Sequence, residues 1–81
     1  MEGLTPGRIV HYVMENGEHR PAIVVRVWDG VYAEPGVVNL QVFHDQANDG
    51  YGLNVGPLWA TSVHHDPAGA TPRSWHWIER A

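Results

Sequence analysis

Arg8-Ile9-Val10-His11-Tyr12-Val13-Met14, then Glu15-Asn16-Gly17-Glu18, then Ala22-Ile23-Val24-Val25-Arg26-Val27-Trp28: this opening third of the chain decides the fold. Two runs rich in Val, Ile, Tyr and Trp flank an Asn-Gly pair. β-Branched and aromatic residues favour the pleated surface of a strand. Asn-Gly between two such runs signals a hairpin, because a type I′ turn needs positive φ at both central residues. The spacing predicts a first strand over 8–14 with faces Ile9/His11/Val13 and Val10/Tyr12/Met14, and a second over 22–28. Pro21, which has no N–H to donate, fits the first residue of that strand or an edge.

Working outward, Asp29-Gly30 marks the next turn. Val31-Tyr32-Ala33 is expected to extend a hairpin before Pro35-Gly36 bends the chain back. Residues 37–43 alternate cleanly: Val38, Leu40 and Val42 on one face, Asn39, Gln41 and Phe43 on the other, the latter read as a solvated sheet face. The segment from Asp45 to Pro57 is the longest irregular stretch, and long loops in small domains often carry function. Further strands are predicted over 58–64 and 75–78. No segment has helical period. Five short strands separated by turn signals predict one all-β domain over residues 1–81, most economically a small five-stranded SH3-like barrel.

Composition limits what such a barrel can do. Eighty-one residues bury a small core, and with no cysteine there is neither a disulfide nor a thiolate zinc site to reinforce it. The net charge is −4 and the five basic residues, all Arg, are scattered, which argues against a double-stranded nucleic-acid partner. The longest apolar run, Ala22 to Val25, is far short of the ~20 residues that span a bilayer. The N-terminal residues lack a signal-peptide layout. No membrane partner and a bacterial-type cytoplasm are therefore expected.

Catalytic signals are weak. Ser62 and Ser74 lie in no nucleophile elbow, and the absence of Cys and Lys removes thiol and Schiff-base chemistry. Gly50 and Gly52 are not followed by the elements of a phosphate cradle. His44, His64 and His76 are the candidates for a histidine metal site, gathered if the last three strands are neighbours, but their spacing matches no known ligand pattern. No enzyme activity and no cofactor are expected. The aromatic residues are the strongest functional signal. The chain has four Trp, and each large aromatic can bury roughly 150–250 Å². In Trp75-His76-Trp77 the two indoles would share one strand face, with His76 on the other. That face serves either as core or dimer contact, as large aromatics usually do, or as a stacking platform for a ligand.

Several stretches together carry a resemblance: Gly7 to Val13, Arg20 to Val24, Asn39 to Phe43, Asn48-Asp49-Gly50, Trp59 to Val63 and Trp75-His76-Trp77. In order and spacing they resemble a family of small uncharacterised proteins of tailed bacteriophages and prophages, over nearly the whole chain. In that family the ending reads like Gly-Thr-Trp-His-Trp-Pro-Glu; here Ile78 stands where the proline would be. The resemblance implies a phage setting and the cytoplasm of the bacterial host, and it transfers no catalytic residue.

The sequence thus points to a non-enzymatic, self-associating binding module. Its ligand or interface residues would be Trp75, Trp77, Trp59, His76, Asn48, Asp49, Tyr51 and Arg26. Other readings are a sponge that sequesters a host nucleotide signal through Arg26, Arg73 and the Trp pair, a virion accessory protein of capsid or tail, and a histidine-metal enzyme. A small molecule, a nucleotide or a host protein are the alternative partners.

Overall fold

The computed structural model describes residues 1–52 and 55–79. Its strands are β1 (Ile9–Val13), β2 (His19–Val27), β3 (Val38–Val42), β4 (Leu58–His65) and β5 (Ser74–His76), with one 3-10 turn, Gln46–Asp49, between β3 and β4. The strands close in the order β1-β2-β3-β4-β5. Neighbours run antiparallel except β4 and β5, which pair in parallel through His64–Ser74 and His65–Trp75. This is the SH3-like barrel that the strand pattern predicts. Closure removes the free strand edges through which a small sheet would otherwise aggregate.

Alternation fills the interior. Val10, Tyr12 and Met14 come from β1 and the residue after it, Ala22 and Val24 from β2, Val38, Leu40 and Val42 from β3, Val63 from β4 and Trp75 from β5. Trp75 has no exposed surface, and its indole Nε1 donates to the Gly36 carbonyl at 2.7 Å. The large polar ring is thereby buried without an orphaned donor.

The structure departs from the sequence reading at several points. The Asn16-Gly17 turn is not type I′. Only Gly17 takes positive φ (85°), and its N–H donates to Met14 O at 2.9 Å, a type I turn closed by a glycine bulge. The Asn16 side chain stabilises it by accepting from the Glu18 N–H at 2.9 Å. β2 begins three residues early, at His19, so Pro21 lies inside it. The proline is tolerated because the β2–β3 ladder ends at the Ala22–Val42 pair, and beyond it Pro21 only accepts, from the Phe43 N–H. Residues 31–33 form no strand; a Trp28 N–H to Val37 O bond closes a loop instead. β5 ends at His76 rather than at 78.

Asn39 is buried rather than solvated. It sits beside irregularities in both neighbouring ladders, between Val24 and Arg26 on one side and between Val38 and Leu40 on the other. Its Oδ1 accepts from the Trp28 indole at 2.8 Å and from the Ser62 N–H at 2.9 Å. The amide thus supplies bonds that a regular ladder would have made, and it supports Ser62 at a φ of 51°, a conformation costly for a non-glycine residue.

Candidate functional site

The Trp75–Trp77 platform does not form. Trp75 is core, and Trp77, beyond the end of β5, packs edge-on against it with ring centroids 5.2 Å apart at 89°. Two perpendicular rings, one of them enclosed, offer no pair of parallel faces to a ligand. The outer face of Trp77 is met by the Arg8 guanidinium, 5.4 Å from the ring centre. Arg26 lies 4.0 Å over the Trp28 ring, and Arg73 pairs with Glu15 at 2.9 Å, so the arginines suggested for a nucleotide have partners of their own.

The residues of the loop after β3 are tied into the fold. Asp49 has no exposed side-chain surface; it accepts from Arg20, from Asn16 Nδ2 and from the Asp45 N–H. Bonding to the Arg20 guanidinium, helped by the other donors, holds its carboxyl far below the usual range. Asn48 bonds the Asp45 carboxylate within the 3-10 turn. Tyr51 lies against the core, its ring 4.4 Å from that of His44. These are contacts that shape the loop.

Trp59 is different: it is 51% exposed, on the outside of β4. The registers place Ile9 beside Ile23, Ile23 beside Gln41 and Gln41 beside Trp59. Cross-strand partners point to the same side of a sheet, so β1 to β4 each contribute one residue to a row across the outer wall. Val25, two residues on from Ile23 in β2, and Phe43, just past the end of β3, are both exposed and extend the row on either side. None of these six side chains is charged. Sequence reasoning named Trp59 but not the row, because alternation assigns faces without giving register.

The three weak metal candidates lie apart. His44 bonds Gly56 O and Gln46 N, His64 pairs with Glu34 at 2.6 Å, and His76 lies on the far side of β5 from the core. His76 instead meets two histidines from the first third of the chain. It is the register partner of His11, and its Nε2 lies 2.9 Å from His19 Nδ1. His76 Nδ1 is 2.8 Å from the Trp77 carbonyl and 3.0 Å from Glu79 Oε1. Burial, and then the neighbouring His76, lower the His11 pKa against the opposing pull of Glu79, which favours a neutral imidazole.

Gly69 closes over this group. At φ 67° its backbone lies so near that a Cβ would stand 3.1 Å from His76 Cδ2 and Nε2 and 3.2 Å from His19 Cε1. Asp66 holds the loop in place by accepting from the N–H groups of Ala68, Ala70 and Thr71.

The chain matches no protein-family model, no curated protein and no solved structure. Among the described residues, no helix is long and apolar enough to cross a membrane. The fold defines the class as a small SH3-like barrel, and the outer face around Trp59 gathers exposed apolar side chains from adjacent strands.

Proposed function

We propose that this chain is a non-enzymatic binding module that associates with a second copy of itself through the outer face of β1 to β4. The carrying observation is the row Ile9–Ile23–Gln41–Trp59, one side chain from each of four adjacent strands, flanked by Val25 and Phe43. Contiguous exposed apolar surface of this kind marks contact sites. A standard interface covers about 800 Å² per partner, roughly a sixth of the 5113 Å² surface of this chain. A barrel wall four strands wide can supply that area.

Self-association fits because the row is uncharged and has a polar centre. A two-fold axis near Gln41 would set Trp59 of each copy against the aliphatic end, Ile9 and Ile23, of the other. Gln41 would then meet its own counterpart amide to amide. Trp is a favoured anchor residue at interface centres. The resemblance to small phage proteins supports a phage setting and, with it, the cytoplasm of a bacterial host.

Sedimentation velocity across a concentration series tests this. The expected result is a dimer that dissociates on dilution and is absent in Trp59→Glu and Ile23→Glu, both of which keep the native circular dichroism. A wild-type chain that stays monomeric into the high micromolar range overturns the reading.

A further inference from the structure

We propose that His11, His19, His76 and Glu79 form a binding site for a divalent metal ion of the zinc class. One donor atom from each residue lies within 4.8 Å of the others. The three imidazole centroids are 4.8, 5.5 and 6.5 Å apart. A tetrahedral ion at about 2.0–2.1 Å from its ligands sets donor atoms about 3.4 Å apart. Two of the separations, 2.9 Å for His19 Nδ1 to His76 Nε2 and 3.9 Å for His11 Nδ1 to Glu79 Oε2, lie on either side of that value, and none of the others exceeds 4.8 Å.

Three further observations point to a ligand rather than to a hydrogen-bonded cluster. First, His11 Nδ1 is buried and has no hydrogen-bond partner. A buried nitrogen left unpaired is costly, and a metal would use its lone pair. Second, His76 is set up as metal-bound histidines are. Its Nδ1 faces the Trp77 carbonyl at 2.8 Å, an acceptor, so Nδ1 carries the proton and Nε2 presents a lone pair to His19. Two ring nitrogens 2.9 Å apart either share a proton or share an ion. Third, Gly69 lies against His76 and His19 without a side chain, which leaves the space beside these two rings unfilled. Ordinary hydrogen bonding explains the His19–His76 contact; it leaves His11 Nδ1 unexplained.

The donor set selects the ion class. Three imidazoles and one carboxylate suit zinc, and also cobalt, nickel and copper, but not calcium or magnesium, which prefer all-oxygen shells. Four protein donors leave no open position, the arrangement of a structural rather than a catalytic site. The ion would join β1, the start of β2, β5 and the segment after β5. This chain has no disulfide, and such a link is how small domains often add stability. The inference does not depend on self-association: all four donors come from one chain, and the site would load in a monomer.

Untagged protein, stripped with a chelator and titrated with zinc by calorimetry, tests it. The expected result is one ion per chain and a melting temperature raised by roughly 10–20 °C at a hundredfold excess over Kd. His11→Gln and His19→Gln, at partly exposed positions, should each weaken binding at least tenfold, while His44→Gln and His64→Gln leave it unchanged. Binding well below one equivalent, or binding lost in His44→Gln or His64→Gln and kept in His11→Gln and His19→Gln, overturns the proposal. If the His11 and His19 variants do not fold, X-ray absorption on the cobalt-loaded wild-type chain decides. Three imidazoles and an oxygen support the site; one imidazole or none refutes it.

Discussion

Arg20 and Asp49 form a two-bonded ion pair, Nε to Oδ2 at 2.7 Å and Nη2 to Oδ1 at 2.9 Å, that locks the loop after β3 onto the β1–β2 hairpin. Paired, parallel bonds of this kind fix orientation as well as energy. Asn16 adds a third bond from the hairpin turn itself, at 3.0 Å. Asp49→Ala leaves an arginine, an asparagine and a backbone N–H without their acceptor. Arg20 keeps about a fifth of its side chain in water, so the cost falls below that of breaking a fully buried pair, at about 2 kcal/mol. Urea unfolding of the variant should show a lower midpoint with an unchanged slope.

The same carboxylate makes stability depend on pH. Asp49 titrates far below its unfolded value of about 3.9. A depressed acid contributes its stability in full above the unfolded value and loses it as pH falls toward the folded one. A second limb lies higher. Burial against the Trp75 ring lowers the His65 pKa, with His76 adding to the effect and Asp66 opposing it. The unfolded chain therefore binds the proton more readily, and stability falls as pH drops below about 6.5. Thermal melts from pH 8 to 3 should show two descending steps. Asp49→Asn should shrink the acid step to the part that Asp66 contributes and leave the step near neutrality, which His11 shares with His65, in place.

How much of this was legible in the sequence depends on the range of each contact. Turn signals at Asn16-Gly17, Asp29-Gly30 and Pro35-Gly36 and the alternation Val38/Leu40/Val42 are local, and they gave five strands near their observed positions. The faces of β3 follow the alternation, with Val38, Leu40 and Val42 in the core; what a hydrophobic pattern does not reveal is that Trp28 and Ser62 bond Asn39 on the other face and exclude it from solvent. Core packing of the Trp75–Trp77 pair is borne out, but the shared face and the platform are not, because alternation assumes that the strand continues; β5 stops at His76, and Trp77 turns edge-on. The histidine group could not be read from spacing. His11 and His76 become neighbours only when β1 and β5 close the barrel.

Gly69 should resist substitution for two separate reasons. Its φ of 67° costs an L-residue about 1–2 kcal/mol, and a methyl group would crowd the His76 ring, which is buried and cannot swing away. Gly69→Ala is expected to lower stability by about 2 kcal/mol. It should also shift the His19 and His76 ring resonances in NMR spectra of the metal-free chain. Gly30→Ala, also at positive φ but with open space around its Cβ, should lose only the backbone part and leave those resonances where they were.

Asn39 satisfies two donors with a single oxygen. Truncation to Ala leaves the Trp28 indole and the Ser62 N–H without an acceptor; both are half-buried, so each costs toward the lower end of the range of about 1–3 kcal/mol for a fully buried donor. Asn39→Ala should therefore destabilise by about 2 kcal/mol. Asn39→Asp keeps an acceptor in place and should recover part of that loss at neutral pH. Equal stability of the Ala and Asp variants would mean that Oδ1 is not the atom that matters.

Trp59 and Trp75 should separate association from folding. Trp75→Phe removes the donor to Gly36 O and part of a fully enclosed ring, so it should cost about 2–3 kcal/mol. Its outer wall is untouched, so the folded fraction should associate as the wild type does. Trp59→Glu removes an exposed ring, with an effect on monomer stability within about 0.5 kcal/mol, yet it should abolish the dimer. Urea unfolding at low protein concentration reads the first quantity, and sedimentation at high concentration reads the second. If Trp59→Glu instead destabilised the monomer while leaving association intact, Trp59 would belong to the packing of the barrel, and the outer row would lose its anchor.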